Sequence, residues 1–107
     1  MSGWVFLAGA IVLEVAGTFL LKLSNGFAHV HWGLLSIACY AACFIAFAPA
    51  LKVIPVGVAY AVWAGAGIVA ATLIGLVAFQ ERLGAIQLLS IALILIGAVG
   101  LRLTTEA

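Results

Sequence analysis

At 107 residues the chain is 68% hydrophobic and only 7% charged, with a mean hydropathy of +1.44. That is far more apolar surface than a soluble domain of this length buries, so lipid is the expected solvent for most of it. A formal charge of +1 without a basic cluster excludes the electrostatic footprint of a nucleic-acid binder and of a polybasic peripheral anchor.

The charged residues are Glu14, Lys22, Lys52, Glu81, Arg82, Arg102 and Glu106. They leave uncharged runs of 29 residues after Lys22, 28 after Lys52 and 19 after Arg82, against the ~20 needed to cross a bilayer. Residues 1–13 hold no Lys or Arg, and Glu14 interrupts the apolar run, so the N-terminus reads as mature structure rather than a signal peptide. The pattern predicts an all-α integral membrane protein of four transmembrane helices, forming one domain over residues 1–107, with spans at about 4–21, 33–51, 56–79 and 85–103. None shows the strand-type alternation of an outer-membrane barrel, and helices satisfy their own backbone in lipid.

In chain order, the first span runs from Trp4 to Leu21 and tolerates Glu14. Ser24-Asn25-Gly26 closes it, and His29, His31 and Trp32 follow at a membrane boundary, where anchoring is the simplest role. The second span, Gly33 to Leu51, contains Cys39 and Cys43 one turn apart, read as packing residues because no metal-ligand spacing accompanies them. The turn around Pro55 leads to the third span, Val56 to Phe79, in which Gly65 and Gly67 follow Trp63 and mark a place for a bend or hinge. Gln80 to Gly84 link it to the fourth span, Ala85 to Leu103. There Ser90, Leu93, Ile94 and Gly97 form a heptad-spaced face suited to a tight helix pair, within the chain or between copies. Four short helices leave little room for an internal pathway, which favours a homo-oligomer as the working unit. Lys22, Glu81 and Arg82 mark span ends and are expected among headgroups and water.

Glu14 stands ten residues beyond Trp4, or ~15 Å along a helix, which is near the bilayer midplane. No basic residue shares its depth. An ionised carboxylate there is costly, so either a proton or a bound cation must compensate it, and the two compete for one site. A second copy bringing its own Glu14 nearby couples the two titrations. A neutral packing carboxyl or a register-fixing polar group is the alternative. Ala10, Gly17 and Thr18 share the helical face of Glu14 and leave space beside it. Tyr40, Phe44 and Phe47 on the second span and Tyr60 and Trp63 on the third offer ring faces to an organic cation, although such stripes also serve plain packing. No phosphate loop, nucleophile with its base or metal cluster is present. An enzyme is therefore not expected, nor a cofactor or metal.

These residues resemble the small multidrug resistance family of bacterial transporters over essentially the whole chain. The resemblance is carried by Leu13-Glu14-Val15-Ala16-Gly17-Thr18 with Lys22 and Gly26-Phe27, by residues 54–65 (Ile54-Pro55-Val56-Gly57-Val58-Ala59-Tyr60-Ala61-Val62-Trp63-Ala64-Gly65), and by the 90–97 face. It implies an antiparallel, dual-topology homodimer in the bacterial inner membrane that exchanges protons for cationic, often hydrophobic compounds, driven by the proton gradient alone. It also implies that Glu14 binds both proton and substrate, that Tyr40, Tyr60 and Trp63 line the site, and that the fourth-helix face forms the dimer contact. Guanidinium exporters in the family carry a tryptophan where this chain has Gly17, which favours the drug-exporting branch. Cys43 stands where a small hydroxyl residue is usual, and Ser90 replaces the first glycine of the dimer face. Guanidinium export, or a non-transporting membrane subunit or pore, are the competing readings.

Lys52 and Arg102 fall on one side of the membrane and Lys22 and Arg82 on the other, two against two, so the positive-inside rule has nothing to act on. Reporter domains fused to the C-terminus are accordingly expected on both sides of the membrane. A reporter found on one side only contradicts dual insertion.

Overall fold

The computed structural model describes residues 3–105; Glu106 and the ends of the 1–107 domain lie outside the described residues. Four helices follow one another: α1 (Gly3–Leu23), α2 (Val30–Ala50), α3 (Val56–Ala78) and α4 (Ala85–Leu103). Their 21, 21, 23 and 19 residues correspond to lengths of roughly 28–35 Å at the α-helical rise, a match to the hydrocarbon core. All four are long and apolar enough to cross a bilayer.

The links explain where the helices stop. Ser24, fully buried, donates its hydroxyl to the Leu21 carbonyl at 2.6 Å and accepts from the Phe27 amide at 3.2 Å. Asn25, Gly26 and Phe27 then take positive φ angles of 50°, 67° and 67°, and the His29 amide returns to the Ser24 carbonyl at 2.9 Å. This compact left-handed turn lets α2 begin at Val30, three residues before the expected Gly33, so that His31 and Trp32 lie in its first turn. Between α2 and α3, buried Ile54 donates its amide to the Ala50 carbonyl at 3.0 Å, and Pro55 caps α3, where its missing N–H is no loss. At the start of α4, Gln87 reaches back to accept the Gly84 amide at 2.7 Å.

The core is small and lies mainly between α1 and α2, from Leu7 and Ala10 to Cys43, Phe47 and Ala50, joined by Ile54 and Ala59. α1 also packs on α3, while α4 rests chiefly on α3. The Cα extents of 43 × 35 × 16 Å describe a slab rather than a round bundle. With helix axes 8–10 Å apart in contact, a 16 Å thickness accommodates about two layers. Most large apolar side chains face outward, as lipid requires.

α4 is the least covered helix, with Ala98 its one buried residue. Ser90, Leu93, Ile94 and Gly97 are all exposed, and open space surrounds Gly97. The Ser90 hydroxyl is spent on the Ile86 carbonyl at 2.8 Å, so the serine leaves this face apolar. α3 runs as one unbroken helix through Gly65 and Gly67. Both are points of close approach here. A Cβ at Gly65 would lie 3.0 Å from the Ala98 Cβ of α4.

Gly65→Val is therefore expected to force α3 and α4 apart and lower stability by about 1–3 kcal/mol. Gly9→Val, at a position with no neighbour within 4 Å, should leave the thermal unfolding midpoint in detergent unchanged. Equal midpoints for the two variants would contradict this packing.

Candidate functional site

α1 carries Glu14 and Thr18 one turn apart, and α2 brings Tyr40 beside them. The Thr18 hydroxyl donates to Glu14 Oε1 at 3.5 Å, the outer limit of a hydrogen bond, and lies 2.6 Å from the Tyr40 hydroxyl. A hydroxyl has one proton to give, so when Thr18 serves Glu14, Tyr40 must serve Thr18. The other carboxylate oxygen, Glu14 Oε2, is buried with no donor among the described residues. It faces Gly67 of α3, where a Cβ would come within 2.9 Å of it. A buried acceptor of this kind calls for a donor or a cation to complete it.

Next to the carboxylate is a cavity of about 270 Å³ lined by Glu14 together with Tyr60, Trp63, Ala64, Gly67, Ile68 and Ala71 of α3. Its floor is the helical face that descends from Tyr60. Trp63 is the hub of an aromatic cluster: Phe47 lies 4.9 Å away between centroids, Tyr60 5.5 Å at 89° and Phe44 6.4 Å at 70°. The indole Nε1 is likewise buried without an acceptor among the described residues. The arrangement combines one carboxylate oxygen free to bind, a wall of ring faces and small residues that leave space. It is suited to holding a cation with apolar substituents. The cavity falls just short of the usual range of ligand pockets, which run from roughly 300 Å³ upward.

The structure brings Glu14, Tyr60 and Trp63 to one cavity; Phe44 meets Trp63 edge-on and Thr18 is bonded to the carboxylate, but neither lines that cavity. Tyr40 reaches Glu14 through Thr18 and does not line the cavity. Ala10 is fully buried in the core shared with α2. Gly17 is also turned to α2: a Cβ there would stand 3.3 Å from Cys39 Cβ, the Ser36 carbonyl and the Tyr40 ring. Its smallness serves helix contact, and neither it nor Ala10 widens the cavity. Gly67, expected at a hinge, forms the wall opposite Glu14. Ala64, Ile68 and Ala71 are lining residues that the sequence reading did not single out. Their signal was the spacing of 3, 4, 7, 8 and 11 residues from Tyr60 shared with Trp63 and Gly67. Among the described residues no group of His, Cys, Asp and Glu is placed to hold a metal. His29 and His31 are exposed at the start of α2, ring to ring with each other, and His31 also packs on Trp32.

Four helices long and apolar enough to cross a bilayer, one of them carrying a partly buried carboxylate, define a multi-pass membrane protein. A family profile described as Small Multidrug Resistance protein matches residues 2–94, and the chain belongs to that family. It is a multi-pass protein of the bacterial inner membrane. It is 47% identical over 100 residues to the uncharacterized membrane protein YvaE of Bacillus subtilis, covering 94% of this chain and 84% of that one. It is 37% identical to the multidrug transporter EmrE of Escherichia coli K12 over 107 residues, covering 100% and 97% of the two chains. A guanidinium exporter of the same strain is also 37% identical, over 103 residues and 96% and 98% of the two chains.

Gly67→Val places branched methyls against the Glu14 carboxylate and is expected to weaken binding of a hydrophobic monocation by at least about tenfold, the effect of ~1.4 kcal/mol. The far-UV helical spectrum should not change. Binding at wild-type affinity would show that the cavity between α1 and α3 is not where the cation sits.

Proposed function

We propose that this protein is a proton-coupled antiporter that exports hydrophobic or quaternary ammonium cations, with the Glu14 carboxylate binding proton and cation in turn. The observation that carries this reading is the buried, donor-free Oε2 of Glu14 opening on a cavity walled by Trp63 and Tyr60. One carboxylate serves one positive charge at a time. A cation arriving from the inner side displaces the proton, and a proton arriving from the outer side displaces the cation, so proton flow down its gradient drives cation efflux. The Tyr40–Thr18–Glu14 hydroxyl chain supports the carboxylate in either state because its last link, at 3.5 Å, costs little to loosen. No catalytic group or cofactor has a part in the cycle. The working unit in this reading is an antiparallel homodimer, with the exposed Ser90, Leu93, Ile94 and Gly97 face of α4 as its contact.

Similarity alone does not choose the substrate, since the relatives named for multidrug transport and for guanidinium export are equally identical to this chain. Chemistry favours the larger cations. A guanidinium group presents several N–H donors in one plane and needs acceptors for them. In this cavity only the Glu14 carboxylate and the Tyr60 hydroxyl accept, and the rest is ring, methyl and glycine. A quaternary ammonium has no N–H to satisfy and gains from the Trp63 and Tyr60 faces.

In liposomes with an imposed proton gradient, the wild-type protein should move a quaternary ammonium cation faster than guanidinium. Glu14→Gln should insert normally but transport at the protein-free leak rate. Gradient-driven transport that survives Glu14→Gln would falsify the mechanism, and faster guanidinium flux would reassign the substrate.

A further inference from the structure

The far end of the Glu14 cleft holds a second carboxylate that the exchange just described does not use. After α3 the chain doubles back: Gln80 takes a φ of 58°, and the Glu81 amide donates to the Gly75 carbonyl at 3.0 Å. The Glu81 carboxyl is laid over Gly75, where any side chain would collide with it. Backbone geometry thus fixes Glu81 on the inner face of the turn although its side chain remains 49% exposed. Lys22 crosses from α1 and places its Nζ 3.0 Å from Glu81 Oε2 and 5.7 Å from the centroid of the Phe79 ring. An ammonium group is therefore already held there, between a carboxylate and an aromatic ring.

The spaces along this route adjoin. A cavity of about 170 Å³ lies between Lys22, Phe79 and Glu81 at one end and Thr18 and Ala71 at the other. Ala71 also lines the Glu14 cavity, and Thr18 is bonded to Glu14. Phe19 and Phe79, 5.6 Å apart between centroids, give the passage an apolar wall. Lys22 stands eight residues beyond Glu14 on the same helix, or ~12 Å along it.

We propose that Glu81 is a second cation station at the mouth of the Glu14 cleft, selecting elongated dications whose two charges lie about 12 Å apart on an apolar chain. One charge of such a compound sits at Glu14, its chain lies along Phe19 and Phe79, and its other charge takes the place of the Lys22 ammonium. Lys22 and Glu81 are 55% and 49% exposed, and an exposed pair contributes little, so the lysine is displaced at small cost. The inference rests on the Glu14 exchange reading and assigns it a further specificity determinant.

The test is calorimetric titration of the full-length protein in lipid discs with three probes: an alkyltrimethylammonium monocation, and a long and a short bis(trimethylammonium)alkane. The wild type should bind the long dication more tightly than the monocation or the short dication. Glu81→Gln should weaken the long dication by about fivefold, the scale of an exposed charge pair, with less than about twofold effect on the monocation. Lys22→Gln, which frees Glu81, should strengthen the long dication more than the monocation. Equal losses for all three probes in Glu81→Gln, or no loss for the long dication, overturn the second station and leave Glu14 untouched. A monocation that fails to bind the wild type, or binds Glu14→Gln as well as the wild type, overturns the Glu14 reading and the second station with it.

Discussion

A carboxylate in the middle of a bilayer has to be neutralised, and Glu14 has few means of doing so within its own chain. One oxygen receives a hydroxyl at 3.5 Å, the other receives no donor among the described residues, and Lys22, the nearest cation along α1, is engaged with Glu81. The remaining compensation must come from something mobile. Much of the surrounding structure follows from keeping that opportunity open. Gly67 stands back from Oε2, Ala64 and Ala71 keep the floor low, and the Trp63 cluster supplies a wall that tolerates either an empty site or a cation. A larger residue at any of these positions would fill the space beside the acid, at the expense of the proposed exchange.

The flatness of the molecule belongs to the same account. A 16 Å slab with its core between α1 and α2 leaves α4 with a single buried residue and leaves the cavity bounded by α1 and α3 alone. In the proposed antiparallel pairing the exposed α4 face is covered, and a second Glu14 enters the neighbourhood of the first. The balanced Lys and Arg content sets no orientation, and the Ser90 hydroxyl, satisfied within its own helix, puts no polar obstacle on the contact. Membership of the Small Multidrug Resistance family places the chain among transporters, whereas the preference among cations is argued from the acceptors and rings around Glu14.

The four spans were legible because in lipid a charge is the strongest punctuation a sequence can carry, and here the charges lie almost wholly at span ends. Glu14, Tyr60 and Trp63 were legible for the converse reason: polar and aromatic groups stand out in an aliphatic helix. The early start of α2 was not, because Asn25-Gly26 signals a turn but the third left-handed residue, Phe27, does not, and it is this residue that completes the turn and lets α2 begin at Val30. Ala10 and Gly17 share a helical face with Glu14, but a face spans a wide arc, and α2 covers the part they occupy. Gly67 read as a hinge because a missing side chain has the same appearance whether it serves bending or close approach. Ala64, Ile68 and Ala71 were hidden by being ordinary. The meeting of Lys22 with Glu81 joins residues far apart in the chain and had no local signal.

The central claim is that proton and cation compete for one carboxylate, and linkage makes it measurable without transport. Protons released on saturating the solubilised protein with a large aromatic cation should be counted across a wide pH range. No release is expected where Glu14 is already ionised, with a rise toward one proton per occupied carboxylate as the pH falls and loss of the signal in Glu14→Gln. Cation binding that releases no proton at any pH, or a release that persists in Glu14→Gln, would contradict it.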